Sequence, residues 1–189
     1  YALVKPDNYK IGQMLAERLI QDDEEQLENK KIGVILGKAE TEESVDRIAG
    51  LKDGLEGSGC EIFWEYNYAR GNQNTSEIIA SKKQVDYLVI LDNWALEEVG
   101  EAAEENKYHG AKIYGVGSSE KAIVLLDNQN IECLVVPDDY ETGYMSMNEI
   151  AKKLRHSFYK MNSCETEVRI INKEDLYSKD LERFLYSYE

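Results

Sequence analysis

Two histidines, two prolines and three cysteines are all that 189 residues supply of those types. With only His109 and His156, general acid–base chemistry has few candidates. Cys60, Cys133 and Cys164 lie far apart, are odd in number and form no C-x-x-C or Cys/His cluster. That spacing argues against a zinc site, and no metal or other cofactor is expected. Cys60 and Cys133 sit at or inside apolar strings and read as small core residues. The longest apolar strings, such as Tyr87–Leu91, fall far short of the ~20 residues that a spanning helix needs. No secretory signal is visible. The chain opens on Tyr1 in a strand-like string, which reads as a start inside a longer protein.

Positive charge is also in short supply. Lys+Arg 22 against Asp+Glu 37 leaves a formal net charge of −15, so there is no electrostatic footprint for nucleic acid. The acidic excess reads as a soluble, self-repelling surface, and the run Asp22–Glu28 as a solvated connection. What is present is ordinary for a globular core: 42% hydrophobic and 31% charged residues.

The apolar residues alternate between two periods. Strand-length strings lie at Leu3–Lys5, Ile32–Leu36, Cys60–Glu65, Tyr87–Leu91, Lys112–Val116, Ile131–Val136 and Val168–Ile171. Between them run helical stripes: Ile11, Leu15 and Leu19; Val45, Ile48, Leu51 and Leu55; Ile150 and Leu154. Strands apolar at nearly every position are buried on both faces. The alternation predicts an α/β fold, a parallel β-sheet flanked by helices on both faces.

One repeat interrupts the pattern. LVKPDNYKIGQM, beginning at Leu3, matches LVVPDDYETGYM, beginning at Leu134, at seven of twelve positions. The two copies hold both prolines, Pro6 and Pro137. Each reads as a strand ended by proline, a capping Asp7 or Asp138, then a helix whose glycine packs closely against a neighbour. Two equivalent passages of a pseudo-symmetric protein explain the match, and they should lie side by side.

In open parallel sheets ligands sit beyond the carboxyl ends of the strands. Placed there are Arg47 one helical turn after the second string; Tyr66, Tyr68 and Arg70 after the third; Asp92, Asn93 and Trp94 after the fourth; Ser118 and Ser119 after the fifth; and Pro137 and Asp138 after the sixth. Aromatic faces can cover a sugar ring while carboxylates, amides and a guanidinium take its hydroxyls, so the set suits a small polyhydroxylated ligand. Simpler roles stand beside each of these. Arg47 lies four residues after Glu43 and could be half of a helical ion pair; Asp92 and Ser119 could be caps. The stretch from Gly115 to Glu120 begins like a dinucleotide fingerprint but places Glu120 where Gly or Ala should stand. No P-loop lysine or nucleophile elbow follows.

The run Val85–Asn93 followed by Ala95-Leu96, the helix Asp46–Leu51, and Tyr114–Ser119 followed by Leu126-Asp127 and Ile131 together resemble the type I periplasmic-binding proteins, the group of ribose-binding protein. The resemblance runs from about Leu3 to Leu185. It implies one lobe of a two-lobed, Rossmann-like receptor that closes on its ligand, not an enzyme. On that reading residues 1–136 are the C-terminal ligand-binding lobe from the first hinge strand. Residues 137–166 are the second hinge and a helix, Gly143–Leu154, of the other lobe. Residues 167–189 are the third hinge strand and a C-terminal helix. Pro6, Asp7, Pro137, Asp138 and Val168 mark the hinges. The family's sugar-contacting arginine carries over onto Arg47 and its carboxylate or amide onto Asp92 and Asn93. Gly117-Ser118 stands where ribose binders have an Asp, so ribose itself is not implied.

The resemblance further implies a solute receptor outside the cytoplasm, lipid-anchored in the intact protein, delivering a sugar to the membrane permease of an ABC importer. The effector domain of a LacI-type regulator, or the sensor module of a chemoreceptor or histidine kinase, would share the fold. A lone lobe should bind sugar weakly, at about 4 kcal/mol, and pair as a homodimer through the bare stripe Met147, Ile150, Ala151 and Leu154.

Overall fold

The computed structural model describes residues 1–23, 27–71 and 74–185. In chain order the elements are β1 (Val4–Pro6), α1 (Asn8–Asp22), β2 (Lys31–Leu36), α2 (Glu42–Gly54), β3 (Glu61–Asn67), α3 (Thr75–Ser81), β4 (Tyr87–Ile90), α4 (Asn93–Ala103), β5 (Lys112–Val116), α5 (Glu120–Asp127), β6 (Cys133–Pro137), α6 (Asp139–Arg155), β7 (Cys164–Thr166), β8 (Val168–Ile171), a 3₁₀ turn (Lys173–Asp175) and α7 (Glu182–Leu185). Six strands form one sheet in the order β3-β2-β4-β5-β6-β8. The first five are parallel.

Period-2 alternation distributes the side chains. Ile32, Val34, Tyr87, Val89, Tyr114 and Val135 face α1 and α2. Ile35, Leu88, Ile90, Ile113, Leu134 and Val136 face α4 and α5. Both faces are covered, which is why the strands read as unbroken apolar strings.

The sheet departs from the expected all-parallel form in two places. β8 runs antiparallel to β6: the chain leaves the sheet at Pro137, makes α6 outside it, and returns along the same edge. β1 is not in the sheet at all; it pairs in parallel with β7, which the sequence pattern did not suggest. The adjacency of the repeats holds, because Pro6 lies opposite Thr166 and Pro137 opposite Val168, two residues on. α6 begins at Asp139, a turn before the expected Gly143, because the Asp138 side chain accepts from the Glu141 N–H at 2.7 Å. β3 extends to Asn67, so Tyr66 is a strand residue rather than a loop residue. Ser44, Arg47, Gly50 and Leu51 form the buried face of α2, and Val45 is exposed.

That rotation follows from a close helix crossing. A Cβ on Gly12 of α1 would lie 2.0 Å from the Arg47 carbonyl oxygen, and one on Gly50 would lie 1.9 Å from the Tyr9 carbonyl oxygen. Only glycine at both positions lets the two backbones meet.

The acidic run is not wholly a solvated connection. Glu24–Gln26 lie outside the described residues, but Asp22 and Asp23 close the amino edge of the sheet. The buried Tyr114 donates to Asp22 at 3.0 Å; Tyr87 and Lys112 donate to Asp23 at 2.8 and 2.7 Å. Burial works to raise the Asp23 pKa, yet the bonds from Lys112 and Tyr87 outweigh it and leave the carboxyl below its ordinary value. A depressed folded-state pKa stabilises above the ordinary carboxylate range, and that stabilisation is lost as pH falls through the folded value. Asp23→Asn should therefore cost about 1 kcal/mol at pH 7 and progressively less toward acid, read from urea midpoints across pH.

Cys133 is fully buried, and its thiol is pushed up to about 12 by burial; Cys60 and Cys164 are half-buried, and all three are free. Among the described residues no helix is long and apolar enough to cross a membrane.

Candidate functional site

Arg47 reaches the carboxyl edge of the sheet from α2. The residue is 6% exposed, and its guanidinium is divided three ways. Nε donates to Asn8 Oδ1 at 2.9 Å, Nη1 to the Leu91 carbonyl at 2.8 Å, and Nη2 pairs with Glu43 at 2.6 Å. The ion pair of the simpler reading is thus real, but so is the placement at the carboxyl edge of the sheet. Burial lowers the Arg47 pKa, and the carboxylates of Glu43, Asp92 and Asp139 oppose that shift.

Asp92 follows β4 and caps α4, its Oδ1 accepting from the Ala95 N–H at 2.9 Å. Its Oδ2 lies over Gly37, where a Cβ would come within 3.0 Å. Asn93 is held on both sides: Oδ1 accepts from the Ser118 N–H at 3.2 Å and Nδ2 donates to Glu97 at 2.9 Å. Ser118 donates its hydroxyl to Asp139 Oδ2 at 2.8 Å. Arg47, Asp92, Asn93 and Ser118 therefore meet at one edge, as expected of residues that follow the carboxyl ends of neighbouring strands.

The remaining expected residues are held by other contacts, although the Tyr68 hydroxyl stays within the electrostatic reach of Asp92. Tyr66 shares a face of β3 with Trp64, and the Lys82 ammonium lies over both rings. Tyr68 is buried in the core, where burial and the neighbouring Glu98 push its hydroxyl pKa up. Asp138 is 1% exposed and serves as the cap of α6. Its carboxylate converges with those of Glu141 and Glu167 to within 4.8 Å. Glu141 accepts from the Glu167 N–H and Glu167 pairs with Arg169, so this group ties the start of α6 to the segment entering β8. Asn8 and Asp139, which do stand at the edge, were not singled out from the sequence. They are equivalent positions of the repeat, each directly after the capping aspartate, and that equivalence was the available signal.

Residues 1–157 match the family model described as periplasmic binding protein domain. The chain belongs to the periplasmic binding protein family. No curated protein matches it by sequence. Among solved structures, it resembles a carbohydrate transporter solute-binding protein of Agrobacterium radiobacter in complex with D-arabinose (TM-score 0.82, 19% identity, 98% of this chain and 65% of that one). An ABC transporter solute-binding protein of Agrobacterium vitis with bound D-fucose is similar (TM-score 0.82, 18% identity, 98% and 64%). So is one of Bacillus halodurans with bound myo-inositol (TM-score 0.81, 14% identity, 93% and 61%). At these identities the likeness establishes the fold. The chain spans a little under two thirds of the length of these family members.

Proposed function

We propose that this chain is the sugar-binding lobe, with its hinge segments, of a two-lobed solute receptor outside the cytoplasm that serves an ABC importer and has no turnover of its own. The observation that carries the reading is the convergence of a buried guanidinium and a capping carboxylate, Arg47 and Asp92, at the carboxyl edge of a periplasmic-binding fold. Donor and acceptor held there in fixed positions suit the hydroxyls of a polyol. Asn93 and Ser118 keep the place expected of them; Tyr66, Tyr68 and Asp138 contribute less directly. The hinges are Pro6-Asp7, Pro137-Asp138 and the strand from Val168.

The lobe division rests on α6. Beyond Asn8, the buried face of α1 consists of Ile11, Gly12, Leu15, Ala16 and Leu19. Its repeat counterparts on α6 are Thr142, Gly143, Ser146, Met147 and Ile150. Of these, Gly143 has nothing within 4 Å of a built Cβ, and Met147 and Ile150 are 66% and 47% exposed. α6 thus carries the docking face of α1 without the helix that α1 docks on, as expected of a helix belonging to the other lobe. Its one buried residue is Glu149, bound by Lys152, the Asn162 N–H and Tyr159, which hold its pKa at about 2.

Calorimetry with D-arabinose, D-fucose and myo-inositol tests the function. The intact protein should bind one of them tightly, and this chain alone should bind only at about millimolar affinity. Equal affinity of chain and intact protein would remove the two-lobe reading. Left uncovered, Tyr144, Met147, Ile150 and Leu154 should also drive the chain into a two-fold dimer. Light scattering at micromolar concentration should show a dimer for the chain and a monomer for its Met147→Glu variant.

A further inference from the structure

The carboxyl edge described above has one charged member, Asp139, that comes from α6 rather than from the helices covering the sheet. Asp139 opens α6 and is exposed. The Ser118 hydroxyl fixes its Oδ2 at 2.8 Å, and the Ser118 backbone is itself fixed by Asn93, the residue after Asp92. Asp92 and Asp139 both lie within the electrostatic reach of Arg47. Three charged groups from three elements, α2, the β4–α4 junction and α6, thus converge on one place.

The internal repeat adds an independent argument. The counterpart of Asp139 is Asn8, which lies inside the same cluster, its Oδ1 accepting from Arg47 at 2.9 Å. In both passages the residue after the capping aspartate turns toward the edge rather than toward its own helix. The first copy carries an amide, buried and satisfied by Arg47. The second carries a carboxylate at an exposed position, where one hydroxyl donor from the protein orients it.

We propose that Asp139 is a ligand-binding residue, the second carboxylate of the sugar site, delivered from the far side of the hinge and positioned by Ser118. The proposal rests on the sugar-receptor reading and sharpens it. A carboxylate only accepts, so Asp92 and Asp139 together call for a ligand that donates two hydroxyls, while Arg47 calls for one that accepts. Because Asp139 lies past Pro137 and Asp92 before it, a sugar bridging them ties α6 to the lobe and engages the hinge directly.

The test uses the intact protein and calorimetry with D-arabinose, D-fucose and myo-inositol. Against the sugar that wild type binds, Asp139→Ala should weaken affinity by about tenfold or more. Ser118→Ala should weaken it by only about threefold, since it removes an orienting donor and leaves the acceptor. The melting temperature of ligand-free Asp139→Ala should match wild type, because the residue is exposed; Asp139→Asn, which keeps the shape, should recover part of the affinity. Asp139→Ala within twofold of wild type would overturn the proposal. Equal losses in Asp139→Ala and Ser118→Ala would overturn it too, showing that Asp139 merely anchors the Ser118 loop. A wild-type protein that binds none of the three sugars would overturn the sugar reading and this inference with it.

Discussion

Arg47→Ala should lower the unfolding free energy of the chain by about 3 kcal/mol, although Arg47 is a ligand-site candidate. The reason lies in what the guanidinium leaves behind. Asn8 Oδ1 and the Leu91 carbonyl both take their bonds from it, and Arg47 as a residue is 6% exposed. Two buried acceptors without donors cost about 1–3 kcal/mol each, less where water can enter. The aliphatic stem of Arg47 also leaves a gap between α1 and α2. Glu43 is the third partner, but its side chain is 55% exposed, so Glu43→Ala should cost less than about 1 kcal/mol. Urea denaturation of the two variants separates the readings: equal, small effects would reduce Arg47 to half of a surface ion pair. In the intact protein Arg47→Ala should weaken sugar binding by a further ~1.5–3 kcal/mol. Arg47→Lys keeps the charge but not the three-way fork, and should fall between the two in stability.

Those three bonds also show where sequence reading reaches its limit. The inner strands β2, β4, β5 and β6 were legible because each is buried on both faces and carries almost no polar residue; β2, β5 and β8 fall within a residue of their expected bounds. The capping roles of Asp7 and Asp138 were legible from the residue types beside proline. Strand direction was not. β8 has the same apolar character whether it runs with β6 or against it, and only the excursion through α6 decides. The stripe read for α2 keeps Ile48, Leu51 and Leu55 in the core but misplaces Val45, because hydrophobic periodicity weighs Val45 and ignores Gly50. The backbone contact between Gly50 and Tyr9 sets the rotation and turns Arg47 inward. The candidate site was legible as a place, since the carboxyl ends of parallel strands are fixed by topology, but the contacts among its side chains were not. Tyr68 is an aromatic just past a strand end, and its burial in the core beside Glu98 and Asp92 could not be read from its position. The contact of Asp139 with Ser118 was hidden behind Asp138, its more obvious neighbour.

The repeat yields the sharpest test of the division into lobes, because its two glycines should respond oppositely to one substitution. A methyl group on Gly12 would lie 2.0 Å from the Arg47 carbonyl oxygen. α1 and α2 would have to separate along their whole contact, opening the Ile11, Leu15 and Leu51 core behind it. Overpacking of this kind costs about 3 kcal/mol, far more than the ~1 kcal/mol that alanine gains over glycine in a helix. Gly12→Ala should therefore destabilise the chain strongly. Gly143 occupies the equivalent turn of α6 with nothing within 4 Å. In the chain alone Gly143→Ala should keep only the helix-propensity gain and raise stability by up to about 1 kcal/mol. In the intact protein, where α6 would meet a helix as α1 meets α2, the same change should become destabilising. A reversal of sign between chain and intact protein, followed by urea denaturation, would establish that the Gly143 face is a closed helix contact of the second lobe. A stabilising Gly143→Ala in both would mean that α6 stays bare there and that the repeat preserves sequence without preserving the contact.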